Sequence, residues 1–384
     1  MKPKVLIDLS TFKGKPQCSM DIYSIRLLKG LMMIPLSYDI TLLINEESYT
    51  YLKSLFPKFE YLRIKTFKNT NILQRIFKYA LFKNQSYWKK AINNSHANLL
   101  LCPYTNLDKI LNLDIPRLQV IHDIHGKYVT KGKEKYKQTL LMPILLRKSD
   151  AIITSSDFVK KEIKQQYPNC VSSKPIYRIY NSIDYTEEFS NYPLKSHTYI
   201  LYVNAIRAYK NIITLIKAFA LIKDEIKQNL IIVGKRNNYW DQEIVPFIKK
   251  NQLQNRIEQI DYATESQLNF LYRNASLFVS PSLYEGFGYT PIEAGIHKIP
   301  VITNKETSLP EVTLHSVFYY TPPTDEKALA QVIKKVINKP PTPEELTNLA
   351  EKFKEEYSLF KQANQFNSTI IECLNVSFQN WRID

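Results

Sequence analysis

The chain has 384 residues, of which 44% are hydrophobic, and a formal net charge of +16. This length is about twice that of a usual single domain, so we expect two domains that each bury a core. The four cysteines are scattered without a C-x-x-C pair, which disfavours a zinc site or a disulfide framework and indicates a reducing compartment, the cytosol. The N-terminal apolar run is too short for a signal peptide, and no run reaches the roughly 18 apolar residues of a membrane span. We therefore expect neither export nor insertion into a bilayer.

Short apolar runs alternate with helical stretches along the chain, which predicts an α/β architecture with parallel sheets. The first predicted strands are Val5–Leu9, Ile40–Ile44, Asn98–Cys102, Leu118–Ile121, Ala151–Thr154 and Ile176–Tyr180. The second set is Tyr199–Val203, Leu230–Val233, Arg256–Ile260, Ala275–Val279 and Pro300–Thr303. We expect two doubly wound units joined through the polar stretch 185–198. Ligands of such sheets bind at the carboxyl ends of the strands, so we expect the site between the two units.

The positive charge is concentrated in the first unit, where residues 51–100 hold ten Lys and Arg side chains against Glu60 alone. Within this region, residues 73–90 interleave basic residues with aromatic and aliphatic ones at near-helical spacing. Such a segment can lie on an anionic membrane surface. A helix with one side in the core and solvated lysines on the other gives the same pattern. Basic and aromatic patches also bind nucleic acid, but no nucleic-acid motif accompanies this one, so we expect a membrane partner and no nucleic acid.

The most informative stretch is PSLYEGFGYTPIEA, residues 281–294, which follows a predicted strand and opens a predicted helix. Gly286 and Gly288 lack Cβ atoms, so a ligand can approach the backbone there. The helix N-terminus that follows presents unpaired N–H groups and a partial positive charge, which suit a phosphate. Glu285 and Glu293 flank the loop and can accept hydrogen bonds from hydroxyls. The stretch therefore suits a sugar and a diphosphate.

These residues resemble the E-x7-E signature of family 4 glycosyltransferases, which are retaining nucleotide-sugar enzymes of the GT-B fold. Further segments resemble the family in the family's order, namely His122-Asp123, Ile153–Phe158, Asn181–Asp184, Tyr199–Val203, Lys210-Asn211 and Leu309–Val312. The resemblance covers nearly all of the chain. It implies two Rossmann-like domains that face a central cleft: an acceptor-side domain over residues 1–188 and a nucleotide-sugar-binding domain over residues 189–357. It also implies a helix over residues 358–384 that returns to the first domain.

The resemblance implies a role for each matching residue. The donor-binding residues would be Arg207, Lys210, Gly286, Phe287, Gly288, Tyr289, Thr290 and Glu293. Gly14 is a further donor-binding candidate on its position alone, because its polar loop after the first predicted strand could bring backbone N–H groups to the phosphates. The catalytic residues would be His122 and Glu285. Glu285 would bind the hydroxyls of the donor sugar and Glu293 those of the ribose, while Lys210 would bind the diphosphate. Arg207 is a candidate for a second, forked contact to the phosphates, because Ala205 stands where the family has an arginine.

Some of these residues also have structural interpretations. Thr290-Pro291-Ile292-Glu293 is a capping-box pattern, in which Glu293 would satisfy the Thr290 N–H. Gly14 could belong to a plain turn rather than to a phosphate loop. A lone histidine is more often structural, but His122 follows a predicted strand and precedes Asp123, which favours a functional role. Ser182, Asn204 and Lys298 stand where the family has glycine.

The expected reaction is the transfer of a sugar from a nucleoside diphosphate sugar to a hydroxyl of a glycan or lipid-linked acceptor, with retention at the anomeric carbon. The chain contains no D-x-D motif, so we expect no metal or other cofactor. The basic first domain favours bacterial surface polysaccharide synthesis (O-antigen, capsule or exopolysaccharide) at the cytoplasmic face of the cell membrane. Alternatives are a nucleotide-sugar epimerase or hydrolase on the same fold, and a basic binding protein that lacks catalysis.

Overall fold

The computed structural model describes residues 2–68, 71, 73, 79–106, 112–124, 137–194 and 198–380 of the chain. It divides into two compact units. Unit 1 is Met1–Ser182 together with Leu359–Asp384, and unit 2 is Ile183–Ser358. Of the predicted membrane segment, Arg75 and Lys78 lie outside the described residues. None of the helices in the described ranges combines the length and the apolar character that crossing a bilayer requires.

Unit 1 is built on a seven-stranded parallel sheet. Its strands are β1 (Lys4–Leu9), β2 (Asp39–Asn45), β3 (Glu60–Ile64), β4 (Leu99–Cys102), β5 (Arg117–Ile121), β6 (Ala151–Thr154) and β7 (Ile176–Arg178). Their order across the sheet is β3-β2-β1-β4-β5-β6-β7. Strand β4 is apolar and buried along its whole length and β1 is buried from Val5 onward, because the connections cover both faces of a parallel sheet.

Unit 2 repeats this topology in a six-stranded parallel sheet. Its strands are β8 (Tyr199–Val203), β9 (Asn229–Val233), β10 (Ile257–Ile260), β11 (Leu277–Ser280), β12 (Val301–Asn304) and β13 (Phe318–Tyr320). Their order is β10-β9-β8-β11-β12-β13. In both sheets the first strand of the unit lies beside the fourth, so connections on its two sides run in opposite directions. This is the Rossmann-like order, and it leaves a crevice at the carboxyl ends of those two strands.

Helices connect the strands in both units. In chain order they are α1 (Ser19–Leu31), α2 (Tyr49–Leu55), α3 (Tyr79–Asn94), α4 (Met142–Arg147), α5 (Asp157–Gln166), α6 (Pro168–Val171), α7 (Ile212–Ile222), α8 (Val245–Lys250), α9 (Glu265–Asn274), α10 (Tyr289–Ile296), α11 (Leu309–Val312), α12 (Glu326–Asn338), α13 (Pro343–Glu356) and α14 (Leu359–Asn380). Single 3₁₀ turns occur at Glu46–Ser48 and Ala208–Lys210, and π turns at Lys137–Leu141 and Trp240–Ile244.

All eleven predicted strands overlap strands of the structure, which confirms the α/β prediction with two Rossmann-like units. The sequence analysis missed β3 and β13. Both are edge strands, and most of their side chains are only half-buried or are exposed. An edge strand has a neighbour on one side only, which weakens its apolar pattern, although the edge strands β7 and β10 were located.

Helix α14 follows unit 2 in the sequence but packs in the core of unit 1, where Ala363, Phe366 and Ile370 are fully buried. It lies against α1 at Gly30, where an added Cβ would come within 2.6 Å of the Leu359 carbonyl oxygen and 3.0 Å of the Ala363 Cβ. This close approach requires glycine in the last turn of α1, although glycine weakens a helix.

The observed division falls at Ser182, six residues before the predicted end of the first domain at residue 188. Hydrogen bonds account for its position. The Ser182 hydroxyl donates to Gln362 Oε1 at 2.8 Å, within unit 1. The N–H of the next residue, Ile183, donates to the Tyr357 carbonyl at 2.8 Å, within unit 2. The polar stretch after residue 184 therefore belongs to unit 2.

We predict that Gly30→Ala lowers the stability of the α1–α14 contact by about 1–3 kcal/mol, because the new methyl group meets a backbone carbonyl that cannot rotate away. Hydrogen–deuterium exchange should show faster exchange of α14 amides by about tenfold or more. Lys161→Ala, an exposed position on α5, is the control and should leave that exchange unchanged. Equal protection of α14 in Gly30→Ala and the parent protein would contradict the packing argument.

Candidate functional site

The candidate site of unit 2 lies at the carboxyl ends of β8 and β11, which are neighbours in the sheet. The chain leaves β8 through the loop 204–207, makes the 3₁₀ turn Ala208–Lys210 and enters α7. It leaves β11 through the loop 281–288 and enters α10. This is the position of the crevice that the strand order creates, so both loops can contact one ligand.

Lys210 and Glu285, one from each loop, are in direct contact. The Lys210 Nζ donates to Glu285 Oε1 at 2.7 Å, and the two side chains are only 11% and 12% exposed. The Asn204 amide lies 3.4 Å from the same carboxylate oxygen. An ion pair so sheltered from water is costly to break by removing one partner, because the other charge stays desolvated. The pair thus fixes one cation and one hydrogen-bond acceptor side by side at the crevice.

Asn211 holds the Lys210 turn in place. Its backbone is left-handed, with φ +56°, a conformation that asparagine tolerates better than most residues. Its side-chain amide donates to the Pro281 carbonyl at 3.1 Å and to the Pro323 carbonyl at 2.9 Å, and its Oδ1 accepts from the Thr214 hydroxyl at 2.7 Å. One buried side chain therefore joins the β8 loop to two other loops of the unit.

The Glu285 backbone is held by the loop after β12. The Glu285 N–H donates to Thr307 Oγ1 at 3.1 Å, and the buried Ser308 hydroxyl lies within hydrogen-bond distance of the Glu285 and Phe287 carbonyls, at 2.8 and 3.0 Å. The Asn304 amide donates to the Ser282 carbonyl at 2.8 Å. Sequence reasoning missed these supporting residues. They could have been identified from the sequence, because they come just after the predicted strand Pro300–Thr303.

Gly288 sets the start of α10. Its φ of +93° is a value that favours glycine, and an added Cβ would lie 3.2 Å from Leu309 Cδ2. The helix begins at Tyr289, and no side chain caps its N-terminus. Thr290 is therefore the second helical residue and not the N-cap, which rules out the alternative capping-box interpretation. The physical reason is that Gly288 makes the turn into the helix two residues before Thr290.

Glu293 has a different partner from the one the capping box offers. The half-buried carboxylate accepts a hydrogen bond from the Tyr272 hydroxyl, with 3.2 Å between Oε2 and the phenol oxygen. Burial, together with the adjacent Glu293 charge, raises the pKa of Tyr272 well above its ordinary value. The phenol therefore stays protonated and remains a donor to the carboxylate.

The other predicted donor-binding residues of unit 2 occupy varied positions. Phe287 is buried, with its ring centroid 5.1 Å from that of Tyr289 and 5.5 Å from that of Tyr357. Its side chain supports the loop from within the unit. Arg207 is exposed, and within the described part of the chain its side chain makes neither a hydrogen bond nor an ion pair. Tyr289 and Thr290 are half-buried in the first turn of α10.

The remaining two candidates, Gly14 and His122, belong to unit 1. Gly14 has φ +65°, nothing within 4 Å of the position of a Cβ, and an N–H that donates to Ser48 Oγ at 3.2 Å. His122 Nε2 lies 2.8 Å from the Pro103 carbonyl oxygen. Because a carbonyl only accepts, we assign the ring proton to Nε2. Burial lowers the pKa of His122, outweighing the effects of this carbonyl and of Asp123, so the ring is neutral at pH 7.

Across the described ranges, no group of three or more His, Cys, Asp or Glu side chains is arranged to hold a metal ion.

Comparisons with known sequences address unit 2 most directly. Residues 184–353 match the family model described as glycosyl transferases group 1. O-antigen chain mannosyltransferase B of Escherichia coli is 29% identical over 206 residues, which cover 50% of this chain and 53% of that protein. O-antigen chain mannosyltransferase RfbU of Salmonella typhimurium is 28% identical over 255 residues, which cover 65% of this chain and 69% of that protein. The matched segment thus spans about half the length of the first relative.

A solved structure supports the fold over nearly the whole chain. Anabaena Alr3699/HepE, solved in complex with UDP and glucose, superimposes with a TM-score of 0.70 at 15% sequence identity, covering 96% of this chain and 100% of that chain. A likeness at this identity shows the fold alone. Both units therefore have the Rossmann-like α/β architecture of GT-B glycosyltransferase structures, and residues 184–353 carry the match to the group 1 glycosyl transferases.

Proposed function

We propose that this chain is a retaining glycosyltransferase of family 4. It would move a sugar from a nucleoside diphosphate sugar to a hydroxyl of a glycan or lipid-linked acceptor in bacterial surface polysaccharide synthesis. The observation that carries the proposal is the sheltered Lys210–Glu285 pair at the carboxyl ends of β8 and β11. The match of residues 184–353 to group 1 glycosyl transferases and the names of two O-antigen mannosyltransferases support it.

The pair supplies two complementary functions for such a donor. An ammonium group has three N–H donors, so Lys210 can bind a phosphate oxygen and keep its bond to Glu285. The Glu285 carboxylate accepts hydrogen bonds from sugar hydroxyls. A diphosphate gains negative charge as it leaves, and a fixed cation at that point stabilises the transition state more than the ground state. The N-terminal amides of α10 and the exposed Arg207 would add further positive charge.

In the proposed reaction the acceptor oxygen forms a bond to the anomeric carbon on the face from which the phosphate oxygen departs. The bond between that carbon and the phosphate oxygen breaks, and the leaving phosphate takes the proton of the acceptor hydroxyl. Glu293, oriented by Tyr272, would bind the ribose. Neutral His122 would hydrogen-bond a hydroxyl of the sugar or acceptor, and Gly14 would offer backbone N–H groups of its loop to the phosphates. No step in this scheme requires a metal ion.

The first experiment is release of nucleoside diphosphate from a panel of donors that includes mannose and glucose donors, with and without a lipid-linked glycan acceptor and with and without a chelator. Acceptor-dependent release that a chelator leaves unchanged is the expected result. Equal release without acceptor would indicate a hydrolase, and sugar isomerisation without release an epimerase. Binding without turnover would indicate a binding protein.

We predict that Glu285→Gln lowers kcat/KM at least about 10- to 100-fold, because a hydrogen bond to a charged group contributes about 1.5–3 kcal/mol. The amide keeps the size of the side chain and can still accept from Lys210, but the sheltered Lys210 charge loses its counter-ion, so the melting temperature should fall by a few degrees and activity is measured well below it. Glu265→Gln, an exposed position in the first turn of α9, is the matched control. Activity of Glu285→Gln within twofold of the parent would remove Glu285 from the site.

Lys210→Met should weaken binding of the nucleoside diphosphate about 10- to 100-fold, because the phosphates lose a charge-assisted contact and the Glu285 charge then opposes them. Binding of the nucleoside without phosphates should not change. Isothermal calorimetry measures both, with Lys235→Met, an exposed lysine after β9, as control. If diphosphate affinity is the same in Lys210→Met and the parent, the phosphates bind elsewhere and Arg207 becomes the next residue to substitute.

The exposed face of helix α3 supports the proposal that the acceptor is linked to a membrane. Its Trp88 and Ile92 are buried in unit 1, so one face of the helix packs in the core. Phe82 and Tyr87 are 63% and 46% exposed, next to Lys83, Lys89 and Lys90 in the sequence. Exposed aromatic rings among lysines suit the interface of an anionic bilayer. We propose that this face of α3 binds the inner surface of the cell membrane.

Replacing Lys83, Lys89 and Lys90 by glutamine should weaken binding to anionic vesicles about 100-fold, because each basic residue near such a surface contributes roughly 1 kcal/mol. Donor binding should not change. The matched control removes three lysines from α5, Lys160, Lys161 and Lys164, and should keep most of the vesicle binding. If the parent does not co-sediment with anionic vesicles at low salt, or binds RNA or DNA instead, α3 is not a membrane surface.

A further inference from the structure

Unit 2 contains a second pocket, with a volume of about 170 Å³, that the proposed reaction does not use. The rings of Tyr185, Phe189 and His297 line it together with the cations Arg273, Lys298 and Lys354. Of the described residues that line it, only Glu187 is acidic. A concave site with such an excess of cations attracts anions.

The pocket lies away from the Lys210–Glu285 pair. Its residues come from the start of unit 2, the C-terminal turn of α9, the residues that follow α10, and α13. His297 and Lys298 precede β12, whereas the candidate site follows the carboxyl ends of β8 and β11. Helix α10 separates the Glu285 loop from the pocket, and eight helical residues span about 12 Å.

Aromatic rings contact two of the three cations. The Arg273 guanidinium lies 5.0 Å from the Phe189 ring centroid, and Lys354 Nζ lies 4.9 Å from the Tyr185 ring centroid. Lys354 also pairs with Glu351 at 3.1 Å, on the exposed side of α13. Rings orient cations without neutralising their charge. The positive charge of the pocket is therefore only partly compensated by unit 2.

His297 forms part of the wall between two tyrosines. Its ring stacks on Tyr272 with centroids 5.3 Å apart and meets the Tyr185 ring edge-on at 5.4 Å. Burial, followed by the charges of Arg273 and Lys354, lowers the pKa of His297 to about 4. The ring is therefore neutral at pH 7, and it lies close enough to both cations to be affected by their charge.

We propose that this pocket binds a small phosphorylated ligand, with the phosphate held by Arg273, Lys298 and Lys354 and any attached sugar ring placed against Tyr185. Pockets for drug-sized ligands occupy about 300–1,000 Å³, so a volume of about 170 Å³ suits a phosphate or a monosaccharide phosphate and not a nucleoside diphosphate sugar. Phosphate as a free ion and as a sugar ester share this chemistry. The proposal does not depend on the proposed function.

A ligand bound in this pocket should affect the stability of unit 2, because of where the pocket lies in that unit. Tyr185 lies two residues after Ile183, where unit 2 begins, and Lys354 lies four residues before Ser358, where it ends. A ligand that contacts both would link the first and last segments of the unit. Because such a ligand binds only the folded state, it should protect these segments from opening.

The test is a titration of the full-length protein at constant ionic strength, followed by calorimetry and by the NMR signals of the His297 ring. The three probes are inorganic phosphate, a hexose phosphate and the same hexose without phosphate. We expect saturable binding of the phosphorylated probes with Kd of about 1 mM or below, an upward shift of the His297 pKa on binding, and no binding of the bare hexose. Tighter binding of the hexose phosphate than of phosphate assigns the site to the ester, and equal binding assigns it to the ion.

Substitutions of the pocket residues test whether phosphate binds in this pocket. Arg273→Gln with Lys298→Gln should weaken phosphate binding about tenfold or more, whereas Lys249→Gln with Lys250→Gln, two exposed lysines at the end of α8, should not. Lys298→Gly is a sharper single change. The Lys298 backbone has φ +60°, which favours glycine, so this variant should lose affinity without a lower melting temperature. Lys210→Met should bind phosphate in this pocket as the parent does.

Two results would overturn the proposal. One is the absence of saturable binding of either phosphorylated probe up to about 20 mM, well above the expected Kd. The other is binding that persists in Arg273→Gln with Lys298→Gln but disappears in Lys210→Met, which would assign the phosphate to the Lys210 site.

Discussion

The contact between the Lys210 ammonium and the Glu285 carboxylate is the interaction on which the rest of the candidate site depends. A pair with side chains 11% and 12% exposed loses much of its hydration, and the attraction between the charges alone does not reliably compensate for that loss. The surrounding loops help to offset this loss of hydration by holding the two residues in a fixed geometry. Asn211 ties the lysine turn to the β11 loop, and Ser308 ties the carbonyl of Glu285 to the loop after β12. The parallel sheet brings these loops together, because the carboxyl ends of β8, β11 and β12 lie at the same edge of the sheet.

The chain achieves this geometry with only eight glycines, which affects how its tight turns are made. Gly288 fills one left-handed position beside the site, but Asn211, Lys298 and Thr307 adopt positive φ as well. Such a conformation costs a non-glycine residue roughly 1–2 kcal/mol. At Asn211 the side chain returns three hydrogen bonds, and at Thr307 the hydroxyl accepts the Glu285 N–H. At these turns the polar side chains therefore add hydrogen bonds that glycine, which has no side chain, could not make.

The fold was predictable from the sequence to the extent that strands are buried on both faces. Apolar runs located the inner strands and two of the four edge strands, β7 and β10, whereas the edge strands β3 and β13 were missed, because a partly covered strand has a weaker apolar pattern. The segments that carry Lys210 and Glu285 were also predictable, since each follows an apolar strand. Their mutual contact was not, because it joins residues 75 positions apart, and neither was the bond from Asn211 to Pro323, which spans 112. The capping-box interpretation of Glu293 failed for a local reason, the left-handed turn at Gly288.

The most direct test of the donor site is a crystal structure of the protein with a bound nucleoside diphosphate. If Lys210 and Glu285 form that site, phosphate oxygens should lie within about 3 Å of Lys210 Nζ and of the first amides of α10, which is hydrogen-bond distance. Glu285 should stay next to the site and face the position of the sugar. A diphosphate bound elsewhere in the molecule, with Lys210 and Glu285 still paired and remote from it, would contradict the claim that this pair forms the donor site.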